Sequence, residues 1–428
     1  MNDHMQRRVV ITGMGIISPI GHNVNDYGQS LKIGQNGIEY LENLSKPAIS
    51  VKIGAKISNF SFESIIQQYT LLGEEILQKA KHCTWRLPYA IQCSVLSALE
   101  AWIDARLNKV TISPDRFGII IAGSNLTMNF QYDLYQKFFQ SFEYITPSYA
   151  LHYMDTDHVG ILSEVFDIRG EGFTVGGASA SGNVGILKGY QLIQLGVVDA
   201  CMVVGSIADL SPMELQGFYN IGAMGGKRFH DQPEKACRPF DKDHEGFIYG
   251  QASGCLILES LESAKKRDIH ILAEILGASL ILDGNRLSNP NEDGEVRAME
   301  FALNQAKVKA EDVDYINAHG SSSQLGDETE IRAIRRVFKK NLSRVWINST
   351  KGLIGHCLYS AGVVEAIAVI IQIRDRFVHP NINLDNPIDD ECRFNRAIST
   401  QADINIAMSN SFGFGGINTS ILLKRAVL

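Results

Sequence analysis

Gly176-Gly177-Ala178-Ser179-Ala180-Ser181-Gly182 opens a segment, Ser181 to Leu195, whose apolar residues recur at helical spacing. Small residues on both sides of Ser179 permit a sharp strand-to-helix turn that sets the hydroxyl at the start of the helix. There it would face a pocket, with the free N–H groups of the first helical turn aimed at an acceptor beside it. Serine is also a common helix cap, so this turn taken alone serves packing as readily as chemistry.

Outward from it, short β-branched runs alternate with longer periodic segments. The runs Val9 to Thr12, Phe117 to Ala122, Ala200 to Gly205, Gly254 to Leu258, Ile271 to Leu280, Val313 to Asn317, Val345 to Asn348, Ile404 to Met408 and Thr419 to Leu423 read as strands. Thr70 to Leu107, Gly294 to Ala306, Asp327 to Phe338 and Ser360 to Ile373 read as helices. Such alternation predicts a layered α/β architecture. The order of strands and helices suggests a duplication, with halves 1–260 and 261–428 and the charged stretch Glu259 to Asp268 as a surface hinge, although the letters do not repeat. Asn125 to Asp157 breaks the pattern. It is rich in Phe and Tyr without strand alternation and predicts a surface excursion or a subunit contact.

Composition narrows the class. The chain has 428 residues, 45% hydrophobic and 20% charged, enough for a large core in two domains or one duplicated unit. A net charge of -7 without a long basic run argues against nucleic acid as a partner. Seven cysteines without a Cys-x-x-Cys pair read as reduced buried thiols, which points to the cytosol, and the histidines lack metal-ligand spacing. The polar lead Met1 to Arg8 is no signal peptide, and no apolar stretch approaches the roughly 20 residues of a membrane span. Val10-Ile11-Thr12-Gly13-Met14-Gly15 lacks the Gly-x-Gly-x-x-Gly context of a dinucleotide site.

Four further stretches carry polar residues among small ones: Arg238 to Phe247, Asn317-Ala318-His319-Gly320-Ser321-Ser322-Ser323, Ser349-Thr350-Lys351-Gly352-Leu353-Ile354-Gly355-His356, and Asn410-Ser411-Phe412-Gly413-Phe414-Gly415-Gly416-Ile417-Asn418. His319 follows a strand, and the glycines of the last stretch allow a backbone amide to approach a ligand closely. Together with the Ser179 turn, these stretches resemble the motifs of the β-ketoacyl synthases, over nearly the whole chain from Val9 to Leu428. That family has Thr-Ala-Cys-Ser/Thr-Ser-Gly where Gly177 to Gly182 stand, so Ser179 falls on the position of the nucleophilic cysteine.

The resemblance implies a thiolase-like duplicated five-layered α/β/α/β/α fold and a homodimer. It implies that His319 and His356 donate hydrogen bonds to a thioester oxygen, that Lys351 organises the site through a neighbouring carboxylate, matched by Glu330, and that Phe414, flanked by Gly413 and Gly415, gates the pocket and lends its amide to an oxyanion hole. Ser321 and Ser323 would contact the pantetheine arm. Arg238 and Asp241 would fix a loop, and His244 is a weak catalytic candidate. Loss of the thiol blocks acyl loading but leaves decarboxylation open, because enolate stabilisation needs donors and not a nucleophile.

The chain is therefore similar to the discrete decarboxylases of polyketide β-branching. These turn malonyl-acyl carrier protein into acetyl-acyl carrier protein, with phosphopantetheine supplied by the carrier and no cofactor held by the enzyme. Their pathway partners are an HMG-CoA synthase-like enzyme and enoyl-CoA hydratase-like enzymes. Two alternatives stand beside this reading. One is a non-catalytic partner subunit like the chain-length factors, which usually lack the paired histidines; the other is acyl transfer or thioester hydrolysis through Ser179, which requires a base within about 3 Å of the hydroxyl.

Overall fold

The computed structural model describes residues 7–41 and 49–426, so the polar lead up to Gln6 lies outside the described residues. The strands that matter for the site are β1 (Val9–Ile17), β2 (Phe117–Ala122), β3 (Gly172–Val175), β4 (Ala200–Gly205), β5 (Ser253–Ser260), β6 (Ala273–Leu282), β7 (Tyr315–Asn317), β8 (Trp346–Asn348), β9 (Arg393–Phe394), β10 (Ile406–Gly413) and β11 (Ile417–Arg425). The helices that frame it include α1 (Glu74–Thr84), α2 (Tyr89–Asp104), α3 (Met128–Phe138), α4 (Thr156–Phe166), α5 (Ser181–Gln194), α6 (Glu292–Ala306), α7 (Gln324–Phe338) and α8 (Ala361–Asp375).

The strands hydrogen-bond in the order β9-β8-β7-β10-β11-β6-β1-β5-β4-β2-β3, and the pairing repeats. In the first half β1 and β5 run antiparallel, β5 and β4 antiparallel, and β4, β2 and β3 parallel. In the second half β6 and β11, β11 and β10, then β10, β7 and β8 do the same. The halves join where Val9 to Ile11 of β1 face Ala273 to Ile275 of β6. Duplication is thus visible in the ladder, where a shared fold survives without shared letters.

The five layers follow from strand alternation. In β4, Cys201 and Val203 face the central core with α5 and α8, whereas Ala200, Met202 and Val204 face the outer core with α2 and α4. In the second half Tyr315 and Ala407 face inward, and Ile316, Ile406 and Met408 pack outward against α6 and α7. Strands covered on both faces read as continuous apolar runs, which is why they were legible.

Two sequence expectations change. The single helix over Thr70 to Leu107 is two, α1 and α2, because Pro88 lacks an N–H and fixes the backbone at the start of α2. Glu259 to Asp268 is no loose surface hinge: Glu259 is fully buried, bonded by Thr12 Oγ1 at 3.1 Å and Arg267 at 2.7 Å, and Leu261–Lys266 is helical. The aromatic excursion folds as α3, a 3-10 turn at Phe142–Tyr144 and a short helix at Tyr149–His152 that lead into α4, and it leaves Phe139, Phe142 and Tyr144 exposed.

The central helices cross at their first turns. A Cβ on Gly182 of α5 would stand 2.6 Å from the Val363 amide nitrogen, and one on Gly362 of α8 would stand 2.5 Å from that of Asn183. Gly182→Ala is expected to push the two helices apart at the site and to cost about 1–3 kcal/mol. Urea unfolding of the variant checks this, and wild-type stability would refute the crossing.

Candidate active site

Each half delivers a residue to the site through a strained turn. Ala178 has φ 48° directly before Ser179, and Leu358 has φ 51° two residues after His356. Residues with a Cβ hold this left-handed conformation only where their surroundings force it. Both turns end in the first turns of α5 and α8, so the helix crossing brings them together. The His356 Nε2 lies 2.9 Å from Ser179 Oγ.

The proton in that contact can be assigned. The Leu358 N–H donates to His356 Nδ1 at 3.2 Å, so Nδ1 is the acceptor nitrogen. Burial, together with the Lys351 charge, holds the ring well below its ordinary pKa and therefore neutral. Its one proton is on Nε2, which donates to Ser179. An imidazole does stand within the distance that a base for acyl transfer requires, but in the tautomer that gives a proton and cannot take one.

His319 sits at the end of β7, with its ring centroid 5.3 Å from that of His356 and the planes near perpendicular. Burial, Lys351 and His356 hold it neutral as well. Its backbone is anchored on both sides: the His319 and Gly320 N–H groups donate to the two oxygens of Glu330 at 2.8 and 2.7 Å, and Lys351 Nζ donates to the His319 carbonyl at 2.6 Å.

The carboxylate that pairs with Lys351 is Glu365 of α8 and not Glu330. Ammonium and carboxylate are both almost fully buried. Glu330 instead fastens the His319 turn, and burial raises its carboxyl to about 7. The family resemblance pointed to Glu330, but the partner comes from α8, 14 residues beyond Lys351. The missed signal is that Glu365 is the one charge in the apolar run Ala361 to Ile373, and an isolated charge there needs a buried partner.

Ser179, His319, His356, Ser321, Ser323, Gly413 and Phe414 all line one cavity of about 500 Å³. Ser321 and Ser323 hydrogen-bond each other at 2.9 Å. Gly413 lies so close to the Ser179 turn that a Cβ there would meet the Gly177 carbonyl at 2.5 Å, and this approach sets Phe414 beside Ser179. The N–H groups of Ser179 and Phe414 have no hydrogen-bond partner among the described residues. Gly415 does not line the cavity, and its amide is spent on the Leu287 carbonyl at 3.2 Å. His244 is buried against Asp327 at 3.3 Å, outside the cavity lining, and Asp241 accepts from Arg238 and from the amides of Asp385 and Asn386, so that stretch is scaffold.

The family models agree with this geometry: Beta-ketoacyl synthase, N-terminal domain, matches residues 6–264, and Beta-ketoacyl synthase, C-terminal domain, matches 272–385. The chain belongs to the β-ketoacyl synthase family. It is 37% identical over 416 residues to the polyketide biosynthesis malonyl-ACP decarboxylase PksF of Bacillus subtilis, over 97% of this chain and 96% of that protein. It is 31% identical to a 3-oxoacyl-[acyl-carrier-protein] synthase 2 of Coxiella burnetii, over 98% of this chain and 99% of that one. Among solved structures, a β-ketoacyl synthase from Burkholderia phymatum superposes with a TM-score of 0.84 at 28% identity, over 98% of this chain and 100% of the other. Among the described residues no group of three or more His, Cys, Asp or Glu is arranged to hold a metal ion.

Two measurements test this synthase site. Lys351→Ala leaves the Glu365 charge buried without a partner and is expected to cost about 3–5 kcal/mol, whereas Glu365→Gln paired with Lys351→Met costs less; equal losses in denaturant titration would contradict the pairing. Nitrogen-15 NMR is expected to show His356 as the Nε2–H tautomer and both rings neutral from pH 8 down to 5.5. Titration of either ring near 6.5 would overturn the assignment.

Proposed function

We propose that this protein decarboxylates malonyl-acyl carrier protein to acetyl-acyl carrier protein without forming an acyl-enzyme, supplying acetyl units to polyketide β-branching. The observation that carries the reading is Ser179 held by a proton-donating imidazole. The hydroxyl has no base to ionise it, so it cannot load an acyl chain, yet the donors around it remain. The 37% identity to a malonyl-ACP decarboxylase supports the same assignment.

In this reading the malonyl thioester enters on the carrier's phosphopantetheine arm, with Ser321 and Ser323 at the arm. The thioester oxygen takes hydrogen bonds from His319 and the His356 Nε2–H, and the Ser179 and Phe414 amides offer a second cradle. As the bond between Cα and the carboxylate breaks, charge collects on that oxygen. Fixed donors in a site shielded from water stabilise it most at that moment. Lys351 and Glu330 position His319, Gly413 brings up the loop, Gly415 shapes its turn, and Phe414 covers the mouth.

Further parts belong to the proposal. The partners are a malonyl-loaded carrier protein, an HMG-CoA synthase-like enzyme and enoyl-CoA hydratase-like enzymes, in the cytosol. The halves 1–260 and 261–428 form one unit that acts as a homodimer, supported by the half-exposed edge strand β3 at the end of the sheet and the exposed rings of the aromatic excursion. A chain-length-factor-like role is disfavoured by the intact donor pair His319 and His356.

Intact-mass analysis of carrier proteins tests the reading. Wild type is expected to convert malonyl- to acetyl-carrier protein with no mass added to the enzyme, and His319→Ala to slow this about 10²–10³-fold. Ser179→Cys is expected to gain an acyl adduct from acyl-carrier protein. No loss of carbon dioxide in wild type would move the protein to the partner-subunit class.

A further inference from the structure

Two acids that the scheme above does not use line the cavity, Asp283 and Glu295, and of these Asp283 is already held by Asn418. Glu295, in the first turn of α6, lines the same cavity as Ser179 and His319, yet its residue is only 1% exposed and its Oε2 has no hydrogen-bond partner among the described residues. A buried carboxyl without a partner is costly unless it keeps its proton. Every charged group near it bears on that balance: Glu330 and Arg332 from α7, Asp283 after β6, and Glu292 on its own helix. Only Arg332 favours the ionised form, and burial with the three carboxyls raises Glu295 well above the ordinary range.

Its placement is built and not incidental. Asp283 Oδ1 accepts from Asn418 Nδ2 at 2.7 Å, and this pair presses on α6 so closely that a Cβ on Gly294 would stand 1.7 Å from the Asp283 oxygen. Asn418 closes the loop that carries Phe414, so Glu295 is tied to that loop. It is tied to the His319 side as well, because its charged neighbour Glu330 is the group that fastens the His319 turn.

A decarboxylase that does not condense must end its reaction with a proton. In a condensing synthase the enolate carbon attacks an acyl group; here it must become a methyl. His319 and the His356 Nε2–H are committed to the oxygen, and serine and amide groups are too weakly acidic to serve carbon. Tyr359 also lines the cavity, but burial raises its phenol above an already high ordinary range and makes it a poor acid. We infer that Glu295 is the general acid that protonates the enolate carbon, an assignment that rests on the decarboxylase reading.

The step balances. The bond between Cα and the carboxylate carbon breaks, carbon dioxide leaves, and the electron pair becomes the enolate. The Glu295 proton passes to Cα as the enolate double bond supplies the new C–H pair and the thioester carbonyl re-forms. Glu295, left as a carboxylate, takes a proton from water at the cavity mouth.

The experiment separates cleavage from protonation. Malonyl-carrier protein is incubated with wild type and with Glu295→Gln in carbon-13 bicarbonate, and the malonyl and acetyl forms are weighed by mass spectrometry. Glu295→Gln is expected to form acetyl product about a hundredfold more slowly while carbon-13 enters the unreacted malonyl pool, because the stranded enolate recaptures carbon dioxide. Wild type should show no such exchange, and its kcat should fall on the alkaline side with a limb that the variant lacks. If the variant does not fold, the wild-type limb decides alone, and a kcat flat from pH 6 to 10 overturns the role. Wild-type speed in Glu295→Gln overturns this role and leaves the decarboxylase reading intact; wild type that releases no carbon dioxide overturns both.

Discussion

The Lys351 ammonium is buried between the His319 carbonyl and the Glu365 carboxylate, and most of the site is built around that placement. A charge so deep survives only with a partner and full hydrogen bonding. Glu365 supplies the first from the central helix α8, and the His319 carbonyl supplies part of the second. The same charge disfavours a second positive charge nearby, so it helps keep His319 and His356 neutral. One pair therefore fixes the position of one imidazole and the protonation of two.

The duplicated fold explains how such a pair can exist. The equivalent turns before α5 and α8 each contain a residue with left-handed backbone, Ala178 and Leu358, and the two helices cross at Gly182 and Gly362. The crossing leaves the first helical turns side by side, so a serine from one half meets a histidine from the other 177 residues later in the chain. Neither half could make this site alone.

The layered architecture was legible because strands buried on both faces carry unbroken apolar runs such as Ile119-Ile120-Ile121 and Met202-Val203-Val204. Ser179, His319 and His356 were legible because each sits among small residues at a strand or helix end, where a polar side chain has few structural reasons to stand. What escaped the sequence was pairing. Glu365 stands nearer to Lys351 in the chain than Glu330 does, and its place as the one charge in the apolar run Ala361 to Ile373 marked it as buried without telling which partner the fold would bring to it. Tautomers escaped for the same reason, since the His356 proton is placed by the Leu358 amide, a contact made by the strained turn and not by residue type. The buried Glu259 with Arg267 read as a charged surface stretch because ion pairs in the interior and charges on the surface are spelled alike.

Serine at position 179 is consistent with everything else that faces the cavity. The His356 ring presents Nε2–H, the amides of Ser179 and Phe414 present N–H, and burial favours the protonated form of Glu295 and raises the Asp283 carboxyl. Donors thus surround the hydroxyl. They can meet negative charge on an oxygen, and the imidazole that touches the hydroxyl gives its proton to it and takes none. A thiol differs in kind, because it ionises several units more easily than an alcohol and so needs far less help from a base. With an alcohol at the turn the same donors keep their hold on a developing enolate, while the step that would attach a chain to the enzyme loses its nucleophile.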